Sequence, residues 1–243
     1  MTSGTLAPLQ SFQAELQIDF KENLENPHVI SSDQVLISIL KRGTDGQCFD
    51  LSYKNRDSLG MIIDLGKTIA RVASITPGGM LVFFPSYGLM EQSFDLWEKN
   101  GVTQLISSHK RMFKEPKDPK EYQLVIQKYY EAIFNDEARG SVLMGVCRGR
   151  ISEGLDFSDN AARCVLLVGI PYPQMADPIV ILKKEYLQKK NQVNKIGLTG
   201  SQWYSQQATR AVNQAIGRVI RHVQDYGAII LMDHRYAYQS GKS

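Results

Sequence analysis

Cysteine is scarce: the chain of 243 residues has three, Cys48, Cys147 and Cys164, widely spaced and set in apolar or strand-like surroundings. An odd, scattered set argues against both a disulfide framework and a zinc site, and fits a reducing intracellular compartment best. Long hydrophobic runs are also missing. No apolar stretch approaches the roughly 18 to 20 residues needed to span a bilayer, and the N-terminus lacks the charged-then-apolar pattern of a secretion signal. A soluble protein with no membrane partner is expected. A large excess of one charge is absent too: 28 Lys and Arg stand against 25 Asp and Glu, a net charge of +3. That excludes a histone-like wrapper and leaves room for a local basic groove. Internal repeats and low-complexity tracts do not occur.

Two parts of a nucleotide-hydrolysing site are missing as well. Gly66-Lys67-Thr68 resembles the end of a phosphate-binding loop, but the pattern G-x-x-x-x-G-K-[ST] puts its first glycine at position 61, where Met61 stands; Gly60 is one position too early. These residues also continue a helical pattern instead of following a strand, so Lys67 reads as an exposed helix residue. The complete box Asp-Glu-Ala-His, which would hold magnesium and activate water, does not occur.

What is present is a hydrophobic content of 43%, enough for one sizeable core and a single domain with a small insertion. Residues 35–41 are β-prone and are followed by a turn-like 43–46 segment. From 58 to 74, Leu59, Ile62, Ile63, Ile69, Ala70 and Ala73 recur at helical intervals until Thr76-Pro77-Gly78-Gly79 stops the run. Residues 80–84 read as a buried strand, Ser86 as the cap of a helix ending near Asn100, and the apolar run 102–106 as another strand. The cycle continues with a helix over 119–135, strands at 142–147 and 164–169, helices from Pro178 and from about Ser201, and a last strand at 228–232. Strands buried on both faces and separated by helices define a parallel α/β sheet. Residues 108–120 and 188–202 are polar and cationic, and read as surface loops: a solvated face, or a rim that touches a phosphate backbone.

Two segments carry chemistry. In Gln214-Ala215-Ile216-Gly217-Arg218-Val219-Ile220-Arg221 the spacing predicts one helix with Arg218 and Arg221 on one face and Gln214 a turn earlier, so that three polar heads converge on a ligand. Permanently charged, forked guanidinium groups there suit the charge that spreads over a transferring phosphoryl group. Gly217 permits close approach of the helix to a neighbour or nucleotide. The plainer reading is a surface helix with scattered arginines. The second segment, Val146-Cys147-Arg148-Gly149-Arg150-Ile151-Ser152-Glu153-Gly154-Leu155-Asp156-Phe157, runs from a strand into a charged, glycine-punctuated loop, where parallel sheets place ligand crevices. Gly149 and Gly154 allow turns whose N–H groups meet phosphate oxygens, and Asp156 can accept a ribose hydroxyl or pair with an arginine. The alternative is a tight connector in which Glu153 and Asp156 pair with Arg148 and Arg150.

Taken in order, these residues resemble the iron-sulfur-containing, XPD-like DNA helicases of superfamily 2. Thr2-Ser3-Gly4-Thr5-Leu6 is similar to the family's motif III, Phe84-Pro85-Ser86-Tyr87 to motif IV, 148–157 to motif V and 214–221 to motif VI. Leu24-Glu25-Asn26-Pro27-His28, Trp203-Tyr204, Arg210-Ala211-Val212-Asn213-Gln214 and Asp225-Tyr226-Gly227 narrow the resemblance to two branches of the family, and to one of them more closely. The resemblance implies a RecA-like second motor lobe over 35–243, preceded at 1–34 by the end of the first lobe and the connection between lobes. It implies 5′ to 3′ translocation on single-stranded DNA, driven by ATP with Mg2+ shared with the first lobe, in nuclear genome maintenance. A 4Fe-4S cluster would belong to sequence upstream of Met1, with the phosphate-binding loop and the acidic box. Carried over by position, Arg218 and Arg221 would face the nucleotide phosphates. Gln214, Gly217, Asp156, Gly154 and Glu153 would form the nucleotide-sensing wall, and Ser86, Tyr87 and Arg148 would lie on the DNA side. Two other readings compete: a catalytically retired lobe kept as an interaction module, which would need no arginine finger, and a doubly wound small-molecule enzyme, which would need a glycine-rich first β-α turn. The chain alone is expected to show no DNA-stimulated ATP turnover; sustained turnover by the purified 243-residue chain, scaling with its concentration, would overturn the assignment of the hydrolytic groups to another lobe.

Overall fold

A computed structural model of the chain describes residues 8–18, 21–22, 24, 30–134, 140–154, 157–194 and 197–239. Its elements in chain order are α1 (Leu9–Leu16), β1 (Val35–Ile39), α2 (Leu59–Ile75), β2 (Gly79–Phe84), α3 (Tyr87–Lys99), α4 (Val102–Ser107), β3 (Arg111–Lys114), α5 (Pro119–Phe134), β4 (Ser141–Val146), α6 (Arg150–Gly154), β5 (Cys164–Val168), α7 (Pro178–Asn194), α8 (Gly200–Ile216), β6 (Gly227–Met232) and α9 (Tyr236–Gln239). Two compact units emerge, one of Met1–His28 with Pro171–Gly217 and one of Val29–Ile170 with Arg218–Ser243.

The larger unit is the parallel α/β sheet expected from the sequence, with strand order β1-β6-β5-β2-β4-β3 and every neighbouring pair parallel. Strands β2, β4 and β5 are buried along their whole length, as continuous runs such as Met80-Leu81-Val82-Phe83-Phe84 require. One face of the sheet is covered by α2, whose Ile62, Leu65 and Ile69 are fully buried; each such side chain contributes about 1.5–3 kcal/mol relative to exposure. Gly66 lies on this buried face, and a Cβ there would come within 2.5 Å of the Trp97 indole nitrogen, which donates to the Ile62 carbonyl at 2.7 Å. The helical reading of Gly66-Lys67-Thr68 therefore holds: the glycine serves helix packing, and Lys67 pairs on the surface with Asp45.

Three expectations need correction. Residues 102–106 form no strand but lie in the helix α4; Gly101 turns the chain in a left-handed conformation, and Val102 and Ile106 bury one helical face while Leu105 is exposed. An apolar run this short does not distinguish the two periods. The supposed loop 108–120 contains β3, an edge strand on β4 whose cationic ends hide the apolar pair Met112-Phe113. The supposed loop 188–202 is largely helix: α7 extends to Asn194, and α8 starts at Gly200 behind a capping box of Thr199 and Gln202.

The smaller unit is helical. Helices α7 and α8 pack through Val180, Leu187 and Trp203, and Glu15 of α1 accepts from Trp203, Gln207 and Arg210 of α8. Among the described residues, no helix is long and apolar enough to cross a membrane.

Lys110, just before β3, is 1% exposed, and its Nζ donates to the Gly78 carbonyl at 2.6 Å. Burial lowers its pKa from 10.5 to about 8. Below that value the folded and unfolded chains both carry the proton, and the penalty on a buried ammonium is fully present. At higher pH, up to 10.5, the folded chain is the first to release the proton, so this residue's contribution to stability rises with pH. Relative to Lys110→Met, the wild-type chain should gain ~2 kcal/mol between about pH 7 and about pH 10 in urea unfolding; a pH-independent difference would refute the buried-amine account.

Candidate functional site

The carboxyl ends of β2 and β4 lie side by side, with Phe84 opposite Val146 and the Cys147 N–H donating to the Phe84 carbonyl at 2.8 Å. Beyond β2, Ser86 caps α3, its hydroxyl accepting from the Leu89 N–H at 3.3 Å, and Tyr87 is half-buried next to it. Beyond β4, Arg148 takes a left-handed conformation with φ of 63° and is exposed; the chain then turns through Gly149 into α6. Ser86, Tyr87 and Arg148 are thus brought to one sheet edge.

Beneath them sits Glu115, which sequence reasoning missed. It follows β3 and is 1% exposed. One carboxylate oxygen accepts from the Val146 N–H and the other from the Arg150 N–H, both at 2.9 Å. Gly145 and Gly149 make room for it, since a Cβ at either would lie within 3 Å of the carboxylate. The Tyr87 hydroxyl is directed at the same group: burial first, then the charge of Glu115 and a hydrogen bond to it, raise the Tyr87 pKa. Tyr122 is pushed up to about 12 by burial and then by Glu115, and the Arg150 guanidinium lies 6.0 Å from its ring centroid. The Cys147 thiol nearby is held protonated by burial, which pushes it up to about 12. The only trace of Glu115 in the sequence is an acid in a cationic stretch, right after Met112-Phe113-Lys114 and three residues before Asp118.

The arginine motif differs from expectation. Helix α8 ends at Ile216, with the Gly217 N–H bonded to the Asn213 carbonyl, so Arg218 and Arg221 lie in the following turn and share no helical face with Gln214. Gln214 is half-buried on α8 in the helical unit, while Arg218 begins the returning segment of the sheet unit. Both arginines lie in the segment that connects α8 to β6. Their turn leads into β6 at its amino end, where a Cβ on Gly227 would meet Val219 at 2.4 Å. Arg218 is half-buried, and its guanidinium donates to the Ser152 carbonyl of α6 at 2.6 Å. Arg221 is exposed, and its N–H donates to Asp225 at 3.0 Å. Glu153 and Gly154 complete α6, whereas Asp156 and the 2–6 segment lie outside the described residues.

Asp225 anchors this edge. Fully buried, it accepts from Arg163 at 2.6 Å as well as from the Tyr226 and Arg221 N–H groups, and the Arg163 guanidinium lies 4.0 Å over the Tyr226 ring. Asp159, His222 and Asp225 place ligand atoms within 4.8 Å of one another, a spacing that a cation can use. Arg163 already occupies Asp225, and His222 meets Asp159 at 3.0 Å, so the group is an ion network closed by the guanidinium.

A parallel α/β lobe with a glycine-turned loop after β4 and an arginine turn before β6 is the architecture of a helicase motor lobe. Residues 69–243 match the helicase C-terminal domain family, and the chain belongs to it. It is similar to regulator of telomere elongation helicase 1 of Rattus norvegicus, with 46% identity over 246 aligned positions that cover all of this chain and 19% of the relative. The homolog of that helicase in Drosophila grimshawi is 47% identical, across 97% of this chain and 24% of its own length. The chain thus spans about a fifth of these relatives. Among solved structures, an XPD helicase aligns with a TM-score of 0.56 and 25% identity over 86% of this chain and 33% of its own. The Xpd4 structure from S. tokodaii, at 20% identity and a TM-score of 0.55 over 86% of this chain and 37% of its own, shares the fold.

Asp225→Ala should destabilise the sheet unit by about 3–5 kcal/mol, because it strands the buried Arg163 charge, whereas joint replacement by Arg163→Met and Asp225→Leu should cost clearly less. Equilibrium urea unfolding measures both; equal losses would show that the unpaired charge is not what matters.

Proposed function

We propose that this chain is the second motor lobe of an ATP-dependent DNA helicase that moves 5′ to 3′ on single-stranded DNA in nuclear genome maintenance, at telomeres or in repair. The observation that carries this reading is the meeting of two motifs distant in sequence: the Arg218 guanidinium rests on the Ser152 carbonyl of α6, which joins the arginine turn to the loop after β4. The first lobe of the same protein would supply the phosphate-binding loop and the groups that hold Mg2+, and the upstream sequence would hold any 4Fe-4S cluster. Arg221, exposed on a turn fixed through Asp225, suits the phosphates of ATP, because a guanidinium fork stabilises charge that builds on the equatorial oxygens during transfer. Arg218 stands beside it with its own orientation set by α6. In this reading Gln214 and Gly217 at the end of α8 help sense the nucleotide, as do Glu153, Gly154 and Asp156 in motif V. Ser86, Tyr87 and Arg148, gathered at the carboxyl edge of β2 and β4, form part of the single-stranded DNA track. Closing of the two lobes on ATP and reopening after hydrolysis would then change the grip on the strand.

In a protein carrying both lobes, Arg221→Ala should cut the maximal ATPase rate on the order of 10³-fold while leaving single-stranded DNA affinity nearly unchanged, because a finger acts on charge present only in the transition state. Arg150→Ala, in motif V, is the comparison: a residue that grips the phosphate backbone would on removal weaken DNA binding modestly and flatten its salt dependence by about one ion. Rates and dissociation constants measured across a salt series decide the matter. Intact turnover with a shallower salt slope in Arg221→Ala would move that residue to the DNA groove.

A further inference from the structure

The crossing from β4 to β5 begins with α6, and one buried side chain ties down the helix's first turn. Glu115 binds the N–H groups of Val146 and Arg150, so it fixes both the last residue of β4 and the first residue of α6. Between them the chain makes its left-handed turn at Arg148, and Gly149 presses so close that a Cβ would lie 2.8 Å from either carboxylate oxygen. Two residues past Arg150, the Ser152 carbonyl receives the Arg218 guanidinium, and the Ser152 hydroxyl closes back on the Gly149 carbonyl at 2.8 Å. Ser152 is itself fully buried. The path from Glu115 to Arg218 therefore runs through the first three residues of one short helix, tied to Glu115 at Arg150 and to Arg218 at Ser152.

We propose that Glu115 is a positioning residue for Arg218: by clamping the start of α6 it sets where the Ser152 carbonyl stands, and with it the direction of the guanidinium. The inference rests on the reading of Arg218 as a nucleotide-facing residue. Physically, a carboxylate that accepts two backbone N–H groups in a buried site is stiff, because losing either bond leaves a buried donor unpaired. Glu115→Gln keeps the size but presents an NH2 where one oxygen stood, so one of the two amides meets a donor. Glu115→Asp keeps the charge but is one methylene shorter and cannot reach both amides together. Each variant loosens the first turn of α6 without touching Arg218.

The test is a double-variant cycle in the two-lobed helicase, read as the kcat of DNA-stimulated ATP hydrolysis, the Kd of a fluorescent oligo-dT strand and the melting temperature. Glu115→Gln is expected to lower kcat about tenfold and to leave the oligo-dT Kd within about threefold, and Glu115→Asp is expected to do the same. In an Arg218→Ala background, which should already have lost on the order of 10²-fold or more, Glu115→Gln is expected to cost less than about twofold, because the residue it positions is gone. A purely structural role would lower the folded fraction equally in both backgrounds, so the losses would multiply; that result, or full turnover in both Glu115 variants, overturns the proposal. Should Glu115→Gln fail to fold, the same cycle run with Glu115→Asp decides by the same criterion. Unchanged turnover in Arg218→Ala itself would instead sink the nucleotide-facing reading on which the inference stands. Loss in Arg218→Ala with multiplying effects sinks the inference alone.

Discussion

All six strands run in the same direction, so every connection must travel from a carboxyl end back to an amino end. The rest of the sheet unit follows from that constraint. The shortest crossing, residues 147–163, leads from β4 to β5 and contains α6. It starts beside Ser86 and Tyr87 at one edge and ends at Arg163, beside Asp225 and the arginine turn, at the other. A longer connection could bulge into solvent and lose this geometry. A short one, packed through the fully buried Ile151 and Phe157, transmits position from one edge to the other.

Each buried charge in this unit closes off an irregular piece of backbone. Glu115 takes the N–H groups at the start of α6, and Asp225 takes those of Arg221 and Tyr226 ahead of β6. Asp64 of α2 accepts from the Asp45 and Gln47 N–H groups, and a Cβ on Gly43 would clash with its carboxylate at 2.4 Å. The common logic is that a loop tucked against a sheet cannot leave its donors unpaired, and a carboxylate has enough lone pairs to satisfy two or three at once. Charge-assisted bonds of this kind are about twice as strong as neutral ones, which offsets part of the cost of burying the acid. Such residues carry no periodicity. Glu115 stands in a cationic stretch and Asp64 amid the apolar residues of α2, and only the fold shows what they hold.

This is also why the sequence was legible in some places and silent in others. The buried strands and α2 announced themselves by continuous or helically spaced apolar residues, because burial on both faces or on one stripe imposes that pattern. Strand β3 stayed hidden, since an edge strand with cationic ends needs little apolar content and takes its shape from the ladder with β4. Glu115 and Asp225 stayed hidden because much of what they hold is backbone N–H, which no side-chain pattern reports, and because their side-chain partners, Tyr87 and Arg163, lie far away in sequence. The arginine motif was legible in identity and misread in form: spacing alone extends α8 through Gly217, yet the helix ends there and tertiary anchors take over.

Those anchors separate the two arginines in a way that a shared helical face would not. On a helix, residues three apart move together, since the backbone between them is one rigid rod. In the turn, Arg218 is tied by its guanidinium to α6, and Arg221 is tied by its backbone to Asp225 and so to the Arg163 ion pair. Arg218 follows the crossing that starts at the carboxyl edge. Arg221 follows the fixed amino ends of β5 and β6 and is exposed. A displacement of α6 would therefore turn Arg218 relative to Arg221, while the sheet keeps Arg221 in place. Val219, between them in sequence, is fully buried and packs against Gly227.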